Sequence, residues 1–348
     1  MINKIIGIMS GTSLDGLDIA LCKFSKINEH YNFDILQAET IEYSSEWRNR
    51  LKNAASMSAS DFCRLNVDYG NFVGDRIADF IGNTYNRNLA VGSHGHTIFH
   101  QPINGITVQI GSGAHIASKL KIPVVCNFRE YDVALGGQGA PLVPIGDKLL
   151  FKKYDMCINL GGFSNISFDN SSGLRVAYDI CPVNILINYF AKKKGLDYDE
   201  NGKIGRTGEI NIRLLKKLND LDYYKKSYPK SLGREWVEKE VLSLIFDNIP
   251  IRDVLRTLYE HIAIQISTNI SPSTKVLFTG GGVYNSFLME LINKYSNANI
   301  IIPDKNLINY KEALIFAFLA YLKLNNEINV LASVTGASKD HSAGIIYN

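Results

Sequence analysis

Long apolar runs are missing from this 348-residue sequence. Nothing in it approaches the roughly 20 consecutive apolar residues needed to span a bilayer. The apolar run at residues 5–9 is short, and Asp15 and Asp18 follow at once, which does not fit a signal peptide. An excess of one charge is missing as well. With 37 Lys+Arg against 34 Asp+Glu the net charge is +3, which gives no basis for a nucleic-acid or membrane partner. The basic clusters Lys192-Lys193-Lys194 and Lys225-Lys226 read as solvated faces. Cysteine is sparse: Cys22, Cys63, Cys126, Cys157 and Cys181 are odd in number and never spaced C-x-x-C. That argues against a disulfide framework or a zinc site, and for reduced thiols in a cytosol. A soluble, cytoplasmic protein is expected, and 46% hydrophobic residues can fill the core of one large or two medium domains.

What is present is a series of apolar strands broken at glycine. In GIMSGTSLDGLDIAL (7–21) a strand over 5–9 enters a polar turn, and a second strand runs over 17–24. From Asp61, Phe62, Leu65, Tyr69, Phe72, Val73, Ile77 and Phe80 recur at helical steps. LAVGSHGHTIFH (89–100) and GITVQIG (105–111) read as strands, and LGGQGAPLVP (135–144) as a loop or domain junction. The opening pattern then returns in DMCINLGGFSNISF (155–168), an internal echo that predicts two halves built on one plan. A polar stretch over 191–235 precedes an amphipathic helix from Arg252, with Val254, Leu255, Leu258, Ile262 and Ile266 on one face. KVLFTGGGVYNSFLMELI (275–292) is strand, triple glycine, helix, and a last helix covers 310–324 with Glu312 in its first turn. Strands interleaved with helices predict an α/β fold.

The turn at Gly11, Thr12 and Ser13 offers unpaired backbone N–H groups and hydroxyls, a nest suited to phosphate oxygens. Carboxylates beside bound phosphate require a cation between them, so Asp15 and Asp18 point to Mg²⁺. The loop lacks the Gly-Lys-Ser/Thr of a Walker A motif and precedes a strand. The plainer alternative is a hairpin with Asx turns. Asp179, in AYDICPVN (177–184), fits a helix N-cap ahead of Pro182 as well as a functional carboxylate. Arg129 could pair a carboxylate ligand or form a salt bridge. Lys230 and Arg234 could contact substrate or phosphate, or be solvated. His94 and His96 form an H-x-H that would place both rings on one face, as in metal-dependent hydrolases that use no nucleotide. That rival needs further ligands, and His115, His261 and His341 lack a convincing strand-end setting; His96 and His100 read as structural. Three consecutive glycines, Gly280, Gly281 and Gly282, exceed what a strand-to-helix turn requires, and Glu312 is either a helix-dipole partner or a cleft residue.

Two strand-glycine-strand hairpins and a late strand-GGG-helix form the three-part nucleotide-gripping layout of the actin, hexokinase and heat-shock chaperone superfamily. More specifically, SGTSLDGLD (10–18), SHGHTIFH (93–100), FREYDVALGGQGAPLVP (128–144), NLGGFSNIS (159–167), PKSLGRE (229–235) and TGGGVYN (279–285) resemble, in order, motifs of the anhydro-N-acetylmuramic acid kinase family. KEALIFAFLA (311–320) and VTGAS (334–338) continue the resemblance, which covers essentially the whole chain. It implies an α/β fold of two actin-like ATPase (ribonuclease H-like) lobes with an interdomain cleft. The expected lobes are residues 1–145 and 146–348, with a return of the C-terminal segment to the first lobe left open.

The implied activity is ATP- and Mg²⁺-dependent phosphorylation of the 6-oxygen of 1,6-anhydro-N-acetylmuramic acid while water opens the anhydro bridge. The implied phosphate contacts are Gly11, Thr12, Ser13, Asp15, Gly16, Asp18, Gly161 and Gly162. Asp15 and Asp18 would hold Mg²⁺ through water, and Gly280, Gly281, Gly282 and Asn285 would meet the adenosine. Asp179 becomes the base, and His94, Arg129, Asn184 and Glu312 contact the amino sugar, with Arg129 on its lactyl carboxylate. A homodimer is implied too. The sequence departs from the family pattern at DICPVN (179–184), where Cys181 and Val183 replace two glycines, at His96 in place of an amide, and at Leu232 in place of threonine. The first departure predicts a narrower, more apolar pocket wall and keeps open a same-fold relative acting on another sugar or on none.

Overall fold

The computed structural model describes residues 2–11, 14–82, 88–246 and 248–348. They form two compact units, Met1–Leu150 with Tyr310–Asn348, and Phe151–Asn309. The first holds β1 (Lys4–Ser10), β2 (Gly16–Ile27), β3 (His30–Glu42), β4 (Leu89–Gln101), β5 (Ile106–Ile110), β6 (Val124–Cys126) and, from the end of the chain, β12 (Ile345–Tyr347). The second holds β7 (Met156–Leu160), β8 (Phe163–Asp169), β9 (Arg175–Pro182), β10 (Lys275–Thr279) and β11 (Asn299–Ile301).

One plan is used twice. The first sheet runs β12-β6-β4-β1-β2-β3, with β5 added to β4, and the second runs β11-β10-β7-β8-β9. In each, an antiparallel meander of three strands is followed by two strands parallel to its first. The echo between residues 7–21 and 155–168 is the repeated first hairpin of this plan, and the α/β, ribonuclease H-like class is the one observed. Helices on both faces account for the nearly continuous burial of β1. β3, at the sheet edge, alternates between half-buried and exposed residues and was not foreseen as a strand.

The helix Ala59–Ile81 buries Leu65, Tyr69, Val73, Ile77 and Phe80 against β1 and β4, as its periodicity predicts. Ser58 caps it by accepting the Asp61 N–H. On the opposite face lies the helix Lys305–Leu324, kinked at Tyr310. A Cβ on Gly7 would overlap the Ala313 carbonyl oxygen, and one on Gly92 the Phe316 carbonyl oxygen. The helix backbone therefore rests directly on the two central strands.

This contact corrects the expected domain limits. Residues 310–348 belong with the first unit, not with 146–309. The break falls after Leu150, because the helix Val143–Leu150 stays in the first unit. There Gly146 meets Ile315, and Asp147 forms a buried ion pair with Lys311 at 2.7 Å. No helix among the described residues is long and apolar enough to cross a membrane.

Gly92→Ala should lower unfolding stability by about 1–3 kcal/mol, since its methyl group has no room beneath the helix. Gly162→Ala, where no atom lies within 4 Å of the added Cβ, should change it by less than about 0.5 kcal/mol. Urea titration of both variants checks the contrast.

Candidate active site

Most of the residues singled out by sequence lie at the carboxyl ends of parallel strands, where open α/β sheets bind ligands. In the first unit Gly11 follows β1, His94 lies near the middle of β4, where its pairing with β1 ends, and Arg129 follows β6. In the second, Gly161 follows β7 and Gly280 follows β10.

At the end of β1 the buried Ser10 hydroxyl bonds Tyr43 Oη (2.7 Å) and His96 Nδ1 (2.8 Å), and Tyr43 continues to Tyr69 (2.5 Å). Burial lowers His96 to about 4, so it takes part as a neutral ring. This chain of bonds anchors the end of β1. Thr12 and Ser13 lie outside the described residues; beside them the Gly11 carbonyl accepts the Leu14 N–H, and Leu14 has φ 61°. Asp15 is exposed, and Asp18 accepts from Thr40 Oγ1 at 2.6 Å. Burial raises the Asp18 pKa, the Thr40 bond opposes this, and the Asp15 charge adds to it. No lysine or arginine forms a salt bridge with either carboxylate among the described residues. Two hard-oxygen donors that repel each other and lack a cation fit Mg²⁺, which binds through one or two carboxylates plus phosphate and water. Gly16 has a packing reason instead, since its Cβ would lie 2.7 Å from Ile41 O.

His94 and His96 do not share a face. His94 packs on Phe316 of the helix Lys305–Leu324, and His96 lies edge-on to Tyr69 of the helix Ala59–Ile81. Gly95, at φ +75°, breaks the strand alternation between them. Both His94 nitrogens are in use: Nδ1 donates to Gly95 O (2.9 Å), and Nε2 accepts from Arg129 Nε (3.0 Å) and faces Nη2 (2.9 Å). Burial and the Arg129 charge hold His94 well below its usual pKa, opposed by its bond to Gly95 O. A neutral imidazole with an arginine on its lone pair is not a zinc ligand, and His100 instead bonds Thr107 at 3.1 Å. Arg129 is lowered by burial to about 10, against the pull of Glu312 and Asp132, and stays charged. The Nε–Nη2 edge of the guanidinium faces His94, and Nη1 donates to Gly139 O at 2.6 Å.

Asp132 holds the same loop from its other side. Buried completely, it accepts from the Gly139 N–H (2.6 Å) and Thr335 Oγ1 (2.7 Å). It thereby ties the glycine loop to the VTGAS segment. Sequence reasoning missed this residue; its signal was an aspartate just ahead of a glycine-rich loop. Glu312 lies just past the kink at Tyr310 that separates two helical segments within Lys305–Leu324, so it stands in the first turn of the second segment, as expected. Its carboxylate keeps a solvent-facing surface, while protein packed around it raises its pKa, Arg129 and Lys311 opposing and Asp18 adding.

In the second unit Gly161 and Gly162 form the tight turn between β7 and β8. Their carbonyls accept the N–H groups of Val183, Asn184 and Ile185 at the start of the helix Asn184–Lys192. Open space surrounds Gly162, and the half-buried Asn184 amide has no side-chain hydrogen bond among the described residues. Asp179 is not the cap of that helix. The N-cap position is Val183, and Asp179 lies inside β9. Its Oδ2 accepts the Leu232 N–H at 2.8 Å, its carbonyl accepts from Tyr223 Oη at 2.6 Å, and Oδ1 has no partner among the described residues. Burial raises its pKa, and the Leu232 bond opposes that.

Cys181 and Val183 do not narrow a pocket wall. Both are fully buried in the core of the second unit. The departure from the family pattern is a change in packing, and it removes the ground for a different substrate. Of the three late glycines, Gly280 (φ +84°) and Gly282 abut Leu160, so packing explains two of them; only Gly281 has open space around it. Asn285 turns inward: Oδ1 caps the helix Ser286–Ser296 at Leu288 N, and Nδ2 donates to Tyr259 Oη at 2.7 Å.

Comparison with known protein families matches residues 3–348 to Anhydro-N-acetylmuramic acid kinase. A protein of that name from Sulfurimonas denitrificans is 32% identical over 98% of each chain. Another, from Vibrio vulnificus, is 34% identical over 99% of this chain and 98% of the other. Among solved structures, the activator of the 2-hydroxyisocaproyl-CoA dehydratase from Clostridium difficile with bound ADPNP aligns at a TM-score of 0.45. It is 15% identical, covering 92% of this chain and 97% of that one, a likeness too slight to bear on the site.

Asp132→Ala should cost about 2–4 kcal/mol of stability, because it leaves the buried Gly139 N–H and Thr335 hydroxyl without their acceptor. Thr335→Val, which removes one of those bonds, should cost about 1 kcal/mol. Equal losses in urea titrations would contradict the shared-anchor role of Asp132.

Proposed function

The chain belongs to the anhydro-N-acetylmuramic acid kinase family, and on that premise we propose that it opens 1,6-anhydro-N-acetylmuramic acid with water and phosphorylates the freed 6-oxygen from ATP. The observation that carries the mechanism is Asp179: one oxygen is fixed by the Leu232 N–H, the other has no partner among the described residues, and its pKa is raised. A carboxylate so held is more basic than usual, which suits a general base. Asp179 takes a proton from water as the water oxygen bonds the anomeric carbon. The bond from that carbon to the 6-oxygen breaks, and the 6-oxygen accepts the γ-phosphoryl group. The bridging P–O bond breaks in turn, releasing ADP and N-acetylmuramic acid 6-phosphate.

The phosphates are assigned to the turn at Gly11, Thr12 and Ser13 and to the open turn at Gly161 and Gly162. Gly281 is the glycine with room for the adenosine. Asp15 and Asp18 would hold Mg²⁺, which supplies positive charge between the carboxylates and the phosphates. Asn184 and Glu312 are assigned to the sugar, and His94 and Arg129 to keeping the Gly136–Gly139 loop in place. The free state of the cysteines among the described residues supports a cytoplasmic location, and the family resemblance supports a homodimer.

Turnover in ¹⁸O-labelled water should give a 6-phosphate with label at the anomeric oxygen. Asp179→Asn should lower kcat by about 100-fold or more while ATP still binds. Activity needs the ionised form of Asp179, so kcat should fall as pH drops through a pKa above the ordinary carboxylate range. Unlabelled product, or a fully active Asp179→Asn enzyme, would remove Asp179 as the base.

A further inference from the structure

Among the described residues Lys230 is a cation without a carboxylate partner. Its ammonium lies 4.9 Å from the centre of the Tyr223 ring and 5.5 Å from that of Tyr178. The face of Tyr178 is itself stacked on Tyr228, with ring centres 5.7 Å apart. The one hydrogen bond of the ammonium is a long contact of 3.5 Å to Tyr223 O. No carboxylate pairs with it among the described residues, although the group is half-buried. Burial accordingly lowers its pKa. An ammonium carries three donors, and a partly desolvated one with a single poor acceptor favours an anionic ligand.

Its place in the fold identifies the ligand. Lys230 and Asp179 belong to adjacent segments: the Asp179 N–H donates to Lys230 O at 3.3 Å, and the Leu232 N–H fixes the Asp179 carboxylate. Lys230 is therefore a neighbour of the base that serves the anomeric carbon. The surrounding groups are tyrosine rings, which suit a sugar face. Arg129, the other cation considered for a substrate carboxylate, turns its Nε–Nη2 edge to His94. A lysine on a flexible stem makes the single-point contact that a carboxylate on a rotatable ether arm can meet.

We propose that Lys230 is the specificity-determining residue that binds the lactyl carboxylate of the substrate. This rests on the function proposed above, and the test separates the two. It compares 1,6-anhydro-N-acetylmuramic acid with 1,6-anhydro-N-acetylglucosamine, which lacks the lactyl group, as substrates of the full-length enzyme with ATP and Mg²⁺. In wild type kcat/KM should favour the acidic sugar, and Lys230→Met should shrink that preference about 10- to 100-fold, as loss of a charge-assisted hydrogen bond predicts. Lys230→Arg should keep most of the preference. Lys230→Gln, which retains a donor without charge, should lose it and serves if the methionine variant fails to fold. An active variant with the preference intact, or one impaired equally on both sugars with a raised KM for ATP, would assign Lys230 to structure or to phosphate and overturn the inference alone. Absence of turnover with either sugar in wild type would overturn the function and the inference together.

Discussion

Gly7 and Gly92, side by side in β1 and β4, lie under the carbonyls of Ala313 and Phe316, and this contact organises the first unit. It sets the helix Lys305–Leu324 close enough for the Phe316 ring to pack on His94 (4.6 Å) and on Phe128 (5.7 Å). His94, pinned there, receives Arg129, and Arg129 reaches Gly139 O. Asp132 fixes the same glycine loop through its N–H. A backbone-on-backbone contact thus propagates through one imidazole to a loop that no strand supports. The second unit uses the same device. Gly280 and Gly282 let the turn after β10 lie against Leu160 at the end of β7, beside the Gly161-Gly162 turn.

Burial raises both Asp18 and Asp179, yet their surroundings suit them to different tasks. Asp18 has a second carboxylate, Asp15, adding to its shift, a repulsion that a cation between them would relieve. Asp179 has on one oxygen an N–H donor that opposes the shift, and its other oxygen has no hydrogen-bond partner among the described residues. Under the proposed function the first environment would suit a metal ligand and the second a base. The separation follows from what surrounds each carboxylate, as for paired acids and bases generally.

Much of this was legible in the sequence because the repeated unit announces itself locally. An apolar strand, a polar glycine turn and a second strand occur at residues 7–21 and again at 155–168, and both are the first hairpins of their sheets. The helix Ala59–Ile81 was equally plain, since one face is buried throughout. β3 was missed because an edge strand with half-buried and exposed positions lacks the apolar contrast that periodicity detects. The grouping of residues 310–348 with the first unit depends on contacts distant in sequence, such as Gly7 with Ala313 and β12 with β6. The glycine triplet was over-read, because the requirement for two of its members comes from Leu160, more than a hundred residues earlier.

The two misreadings of side-chain direction have one cause, a bulge beside the chemistry. Strict alternation would put His94 with His96, and Asp179 with Cys181, on common faces. In β4 the register against β1 slips between Ile8 and Ser10, and Gly95 takes φ +75°. In β9 the register against β8 slips between Ser164 and Asn165, so that Asn165 faces Asp179 and Ser164 faces Cys181, with Ile180 left over. Each extra residue re-aims the side chains beyond it, as bulges near active sites do. His94 is thereby left to Arg129 while His96 serves Ser10. Cys181 enters the core together with Ile180, while one oxygen of Asp179 has no hydrogen-bond partner among the described residues. A motif substitution just beyond such a bulge cannot be read as a change in the site. At Cys181 and Val183 the variation lies in the packing layer beneath Asp179.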